Sequence, residues 1–265
     1  MTPPAGKCVW GCDSGKPLNE EHIIAKQVAK ALDIPFPMAI EQGAVQRTTG
    51  LEVVTAVNTT TRLEITIKNR VCERCNGQWM NKLDRRMLGF LCGALRHGQR
   101  VQLADTKQQI LAHWATKVAL LIALWFHDNP AETPLGSSAV PDDNFLSVGK
   151  HMRPPDRTRV WIGDLGDAAG DGDFLMSADP IYWGRPDEPK PQECGYSVTF
   201  SLRRMAFFVA GWDLSFHTPH PDWPNPETAV GARAMRRIWP MRERVVEWPP
   251  PQKMPADGLN RLMRI

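Results

Sequence analysis

The chain has no apolar run long enough to cross a bilayer. The longest, Val118 to Phe126, falls well short of the ~20 residues a membrane helix needs, and Lys117 and His127 flank it. Its start, Met-Thr-Pro-Pro-Ala-Gly-Lys, lacks the apolar core of a secretory leader. No internal repeat is apparent, so a solenoid is not expected. Charge of one sign is scarce too: the net charge is +3, and the apolar fraction, 42%, is ordinary for a soluble globular protein. These absences point to a soluble, cytoplasmic protein without membrane contact. Its 265 residues suffice for one large domain or for a small and a medium one.

The missing leader bears on the six cysteines. In a secreted protein they would suggest three disulfides. Here four of them form two close pairs, Cys8-Val-Trp-Gly-Cys12 and Cys72-Glu-Arg-Cys75, and thiolate–metal binding is the better reading. Two thiolates separated by two or three residues wrap one face of a zinc tetrahedron, and a distant second pair completes the shell. A redox Cys-x2-Cys would need a βαβ context that this region lacks. Cys92, on an apolar helix face, and Cys194 are left over.

Between the pairs, Leu18-Asn-Glu-Glu-His-Ile-Ile-Ala25 frames Glu21-His22 with apolar residues, as expected of a dyad on a half-buried strand. Asn76 directly follows the last thiol and can face that dyad. Positive charge gathers in the same part of the chain. Residues 1–100 hold 14 Lys/Arg against 9 Asp/Glu, a balance of +5, and the remainder holds 18 against 20. That permits a polyanion partner without requiring one.

Cys-x3-Cys, Glu-His-Ile-Ile and Cys-x2-Cys-Asn-x2-Trp-Met-Asn together resemble the HNH (ββα-metal) endonuclease family, and most of all its zinc-stapled branch that includes phage endonuclease VII-like resolvases. The resemblance covers roughly the first hundred residues. It implies a structural Zn²⁺ on Cys8, Cys12, Cys72 and Cys75, a catalytic Mg²⁺ or Mn²⁺ on Glu21 and Asn76, and His22 as the general base against a DNA phosphodiester. It also implies a 5′-phosphate product and a bacterial or phage setting. The chain departs from the family pattern at Glu21, where Asp is commoner, and at Ala25, where Pro is common; Asn69 is the nearest candidate for the middle Asn. The residue types suit the chemistry. A phosphodiester is shielded by its own charge, so attack needs a cation on its oxygens and a base titrating near neutrality. A neutral Asn supplies oxygen without cancelling the cation's charge. The alternative is a catalytically inactive zinc-binding module that binds nucleic acid or a protein.

The expected fold class is α+β: a zinc-bound ββα module over residues 1–100, then helices and a small antiparallel sheet over 101–265 ending in a Pro-rich tail. Ile24 to Leu32 reads as a short helix. Leu51–Val57 and Arg62–Lys68 read as a hairpin turning at Asn58, the second run alternating Leu63, Ile65 and Ile67 with polar residues. An insertion is expected at roughly 27–50. Trp79, Leu83, Met87, Phe90 and Ala94 predict an amphipathic helix ending near Gly98. Its opposite face, with Gln78, Lys82, Arg85 and Arg86, is either solvated or a set of phosphate contacts. A second helix is predicted from Asp105 or Thr106, with a capping box to the Gln three residues on, to Asn129-Pro130; its tryptophans are core. Beyond a Pro- and Gly-rich connector come strands at 159–162, 179–183, and 196–202 with 205–212, the last two a hairpin at Arg203-Arg204.

Several motifs carry blander readings. Gly11-Cys-Asp-Ser-Gly-Lys16 is one residue short of a phosphate loop, with Pro17 where Ser or Thr belongs. Asp164 to Asp173 resembles a calcium loop in composition only, and His217-Thr-Pro-His220 reads as a loop. Arg233, Arg236, Arg237, Arg242 and Arg244 are either a second DNA contact or a solvated helix face.

Overall fold

The computed structural model describes residues 6–35, 38–42, 46–48, 51–53, 61–63, 65–129, 140, 142–166, 174–183, 192–212, 225–231 and 233–262. In chain order these form β1 (Leu18–His22), α1 (Lys26–Ala31), β2 (Met38–Gln42), β3 (Gln46–Thr48), β4 (Leu51–Val53), β5 (Thr61–Leu63), β6 (Thr66–Cys72), the single turn α2 (Glu73–Cys75), a π-helical turn over Asn76–Met80, α3 (Asn81–His97), β7 (Val101–Ala104) and α4 (Asp105–Asp128). There follow α5 (Asp142–Lys150), β8 (Thr158–Asp164), β9 (Phe174–Trp183), β10 (Gln192–Leu202), β11 (Met205–Trp212), α6 (Pro226–Val230), β12 (Met235–Trp239), β13 (Val245–Trp248) and α7 (Gly258–Leu262). The chain is α+β.

The composition of α4 explains its place. From Leu111 to Phe126 every residue is buried, so the helix has no solvent stripe and must be covered on all sides. It packs on α3, α5 and β6 and, on its other flank, against β9, β10, β11 and β12. By length and composition α4 would pass for a membrane span, yet 94% of its most apolar window is buried inside the molecule. Trp114 meets Phe200 and Phe207 at 6.2 and 5.6 Å between ring centroids, and those two rings stack at 4.6 Å. Burying each such large side chain stabilises by about 1.5–3 kcal/mol.

The largest sheet among the described residues has seven strands, ordered β12-β8-β11-β10-β9-β2-β5. Its neighbours run antiparallel except for the parallel pair β2–β9. β10 and β11 form the expected hairpin, Leu202 opposite Met205, with Arg203 in the left-handed region at φ 53°. Two expectations need correction. Among the described residues, Leu51–Val53 does not pair with the run from Arg62: β4 pairs with β3, β5 with β2, and β6 with β1. The Asn58 turn lies outside the described residues. Nor does a capping box open α4. Its N-cap is Ala104, without a side-chain cap, and the Gln108 amide instead donates to Leu103 O at 2.9 Å and to Glu243 O at 3.0 Å.

α3 ends as its residues dictate. Gly98 adopts φ 64°, a conformation glycine enters without the Cβ penalty, and its N–H donates to Ala94 O at 2.8 Å. The main apolar cluster runs continuously from Val9 to Trp248, and a smaller one lies on the other face of the large sheet, around Trp161, Phe208 and Met235.

Candidate functional site

The two cysteine pairs are brought together by β1 and β6. Leu18 lies opposite Cys72 in that antiparallel pair, and Val9 N donates to Arg70 O at 2.9 Å, tying the first knuckle to the second strand. The knuckle turns at Gly11, φ 64°, whose N–H returns to Cys8 O at 3.0 Å. Trp10, 1% exposed, anchors it edge-on against Trp79, with ring centroids 5.2 Å apart. Cys72 caps α2, its Sγ accepting from Cys75 N at 3.5 Å and from Ser14 Oγ at 3.5 Å.

The Sγ atoms of Cys8, Cys72 and Cys75 all lie within 4.8 Å of one another, so this trio can hold a metal ion. The Cys12 thiol sits beside them, interacting with Ser14, Cys75 and Cys72. Sharing a proton between crowded sulfurs splits their acidities. The Cys75 thiol holds Cys8 down at about 5, while Cys75 itself is pushed up by Cys8 and by burial.

Asn76, the residue after Cys75, lines a polar cleft of about 230 Å³ together with Glu21, His22, Ala25, Lys26, Gln27, Asn81 and Asp84. Glu21 pairs with Ile67, and His22, the last residue of β1, pairs with Thr66 where the chain leaves the sheet. A bulge separates Asn19 from Glu21 and falls opposite Asn69, which sits at φ 56° on β6. Asn69 is exposed and does not line the cleft, so the sequence-based candidate for a middle Asn is not part of this site. Asn76 opens the π-helical turn and hydrogen-bonds Glu21. Such wide turns spread a helix entrance and recur at functional sites. Glu21 is 4% exposed; burial pushes its carboxyl up to about 7, Lys117 opposes, Asp84 adds, and the Asn76 bond opposes.

Bordering the cleft is a buried network that no sequence motif marks. Lys117 Nζ lies 2.6 Å from Asp84 Oδ1, with the two side chains 1% and 3% exposed. Trp114 Nε1 donates to the same oxygen at 2.9 Å, and Gln27 Nε2 donates to Asn81 Oδ1 at 2.9 Å and reaches Asp84 Oδ2 at 3.4 Å. A signal for this pair was available. Asp84 falls on the buried stripe Met80, Met87, Leu91 of its helix, and Lys117 is the sole Lys, Arg, Asp or Glu between Lys107 and Asp128 in a helix too apolar to leave it unpaired.

Other sequence-based candidates fall elsewhere. Lys82, Arg85 and Arg86 are exposed, and Gln78 accepts from Arg74 Nε at 3.4 Å. Cys92 is half-buried, its thiol donating to Ala31 O at 3.3 Å. His217 and His220, residues 167–173, and the side chain of Cys194 lie outside the described residues. No protein-family model, no curated protein and no solved structure matches the chain.

Proposed function

We propose that the chain is a metal-dependent endonuclease that hydrolyses DNA phosphodiesters on a zinc-stapled ββα module of the HNH kind. One observation carries the reading: β1 pairs with β6, and the helical segment from Asn76 follows β6 closely, so that Glu21, His22 and Asn76 line a single cleft. Cys8, Cys12, Cys72 and Cys75 hold the Zn²⁺ in this reading. The 3.8 Å between Cys8 Sγ and Cys75 Sγ matches the edge of about 3.8 Å that a tetrahedron with Zn–S ≈ 2.3 Å requires.

Glu21 and Asn76 would hold the catalytic Mg²⁺ or Mn²⁺, which supplies positive charge to the phosphate oxygens and the leaving group. His22 would take the proton from the attacking water as the general base. Asn76 keeps Glu21 oriented through their hydrogen bond. Lys26, exposed beside the cleft, supports contact with a neighbouring phosphate.

The test is plasmid nicking. With Mg²⁺ or Mn²⁺ the protein should nick supercoiled DNA and chelator should stop it; His22→Ala should abolish nicking with zinc content and folding unchanged. Cleavage by His22→Ala at the wild-type rate would remove the base assignment. A second reading, a zinc-binding module without cleavage, is favoured by the state of Asp84. That carboxylate already answers Lys117 and Trp114, and among the described residues the close trio of metal-ligating groups is at the sulfurs, not in the cleft. Tight DNA binding with no nicking in either cation would establish it.

A further inference from the structure

The basic stretch near the C-terminus is a strand and a turn, not a helix face. β12 carries Arg237 opposite Trp161 of β8, and Arg159 lies two residues earlier on β8, so both guanidinium groups leave the sheet on the side away from α4. There they border the smaller apolar cluster. Arg159 lies over the Trp212 ring, 5.3 Å from its centroid. Arg242 reaches the same place from the turn after β12 and acts electrostatically on both. The carboxylate that acts on Arg237 is Glu227 of α6, 3.4 Å from Arg242 and also accepting from Trp161 Nε1 at 3.0 Å.

Three guanidinium groups thus gather with one carboxylate among the described residues, Glu227, which acts on Arg237 and Arg242. Arg159 and Arg237 are each half-buried, and Arg237 Nε is shielded from solvent with no hydrogen-bond partner there. Burial first, then Arg242 and Arg159, press the Arg237 guanidinium down to about 10. Like charges gathered and partly dehydrated oppose folding unless something negative joins them.

We propose that Arg159, Arg237 and Arg242 form a binding site for a phosphate-class oxyanion. Planar guanidinium forks match phosphate oxygens two at a time, and partial burial strengthens each such bond. The charge surplus also favours this class. Among the described residues, three cations less Glu227 leave two, which a phosphate monoester or inorganic phosphate, carrying about −1.5 to −2 near neutrality, offsets better than a carboxylate does. The phosphate can be free or part of a polynucleotide backbone; the chemistry at the arginines is the same.

Thermal unfolding of the whole protein tests this, with sodium phosphate replacing sodium chloride at constant ionic strength. A parallel arm uses a single-stranded oligodeoxynucleotide without terminal phosphates. Ligand that binds the folded state raises the midpoint in a saturable manner that yields Kd. We expect such a rise with phosphate, and a loss of affinity of tenfold or more in Arg159→Gln and in Arg237→Gln. In chloride alone, both variants should unfold at or above the wild-type midpoint, since a repelling cation has gone. A rise with the oligonucleotide alone, lost in the same variants, supports the site and assigns its phosphate to a nucleic-acid backbone. Indifference of the wild type to both ligands overturns the proposal. So does a full phosphate response in the variants, or a lower midpoint of either variant in chloride.

Discussion

Asp84 shows how much one side chain decides here. The residue is 2% exposed, and its carboxylate meets an ammonium, an indole N–H and an amide. Removing one partner of a buried pair leaves a charge that water cannot reach, at about 3–5 kcal/mol. Lys117→Met should therefore lower stability in urea by that amount; a change under about 1 kcal/mol would mean that Asp84 does not depend on the ammonium. At this scale the sequence was half legible. The cysteine spacing and Glu21-His22 stood out because chemistry imposes their spacing. Asp84 and Lys117, 33 positions apart, come together only through the packing of α3 on α4, which no local motif encodes.

At the scale of elements, alternation revealed strands and their faces but not their partners. Leu63 and Ile67 lie in strands as read, with Ile65 outside both, and β5 and β6 part at once, one to the large sheet and one to β1. Helix stops were clearer, because Gly98 and Asn129 act locally. How α5 docks on α4 gives a prediction. The His113 ring bonds the Val148 carbonyl at 3.0 Å and stacks on Trp79, 5.7 Å between centroids and 2° from parallel. Burial lowers the His113 pKa to about 4; the Val148 bond opposes this, and Lys117 and Arg86 add to it. Between the unfolded value near 6.5 and about 4, the unfolded chain takes a proton that the folded one refuses. The contribution is therefore full above about pH 6.5 and falls away as pH drops toward 4, by up to about 3 kcal/mol. Urea unfolding across that range should show the loss in wild type and a shallower one in His113→Gln; superimposable profiles would rule it out.

On the scale of the whole molecule, the thiol cluster reinforces a junction that β1 with β6, Trp10 against Trp79 and Gln27 with Asn81 also hold. If it holds Zn²⁺ as proposed, the metal's binding energy is folding energy. Purified protein should then carry one zinc per chain, and Cys72→Ser should lose zinc and thermal stability together. An unchanged melting midpoint after full zinc removal by chelator would show that the fold stands without the ion. The α+β class and the N-terminal grouping of site residues were readable from composition and motif. The seven-stranded sheet was not, because two of its strands, β2 and β5, come from the excursion between the two cysteine pairs.

That excursion has a statistical-mechanical corollary. The sulfurs of Cys8 and Cys75 meet across 67 positions, so the intervening chain is a ring whose closure entropy grows only with the logarithm of its size. Doubling a ring of that kind costs about 0.6 kcal/mol, less than one buried methylene is worth. Length changes confined to the connections between its strands therefore cost little in closure entropy, whereas β1, α1 and β6 must keep their lengths to hold the cleft.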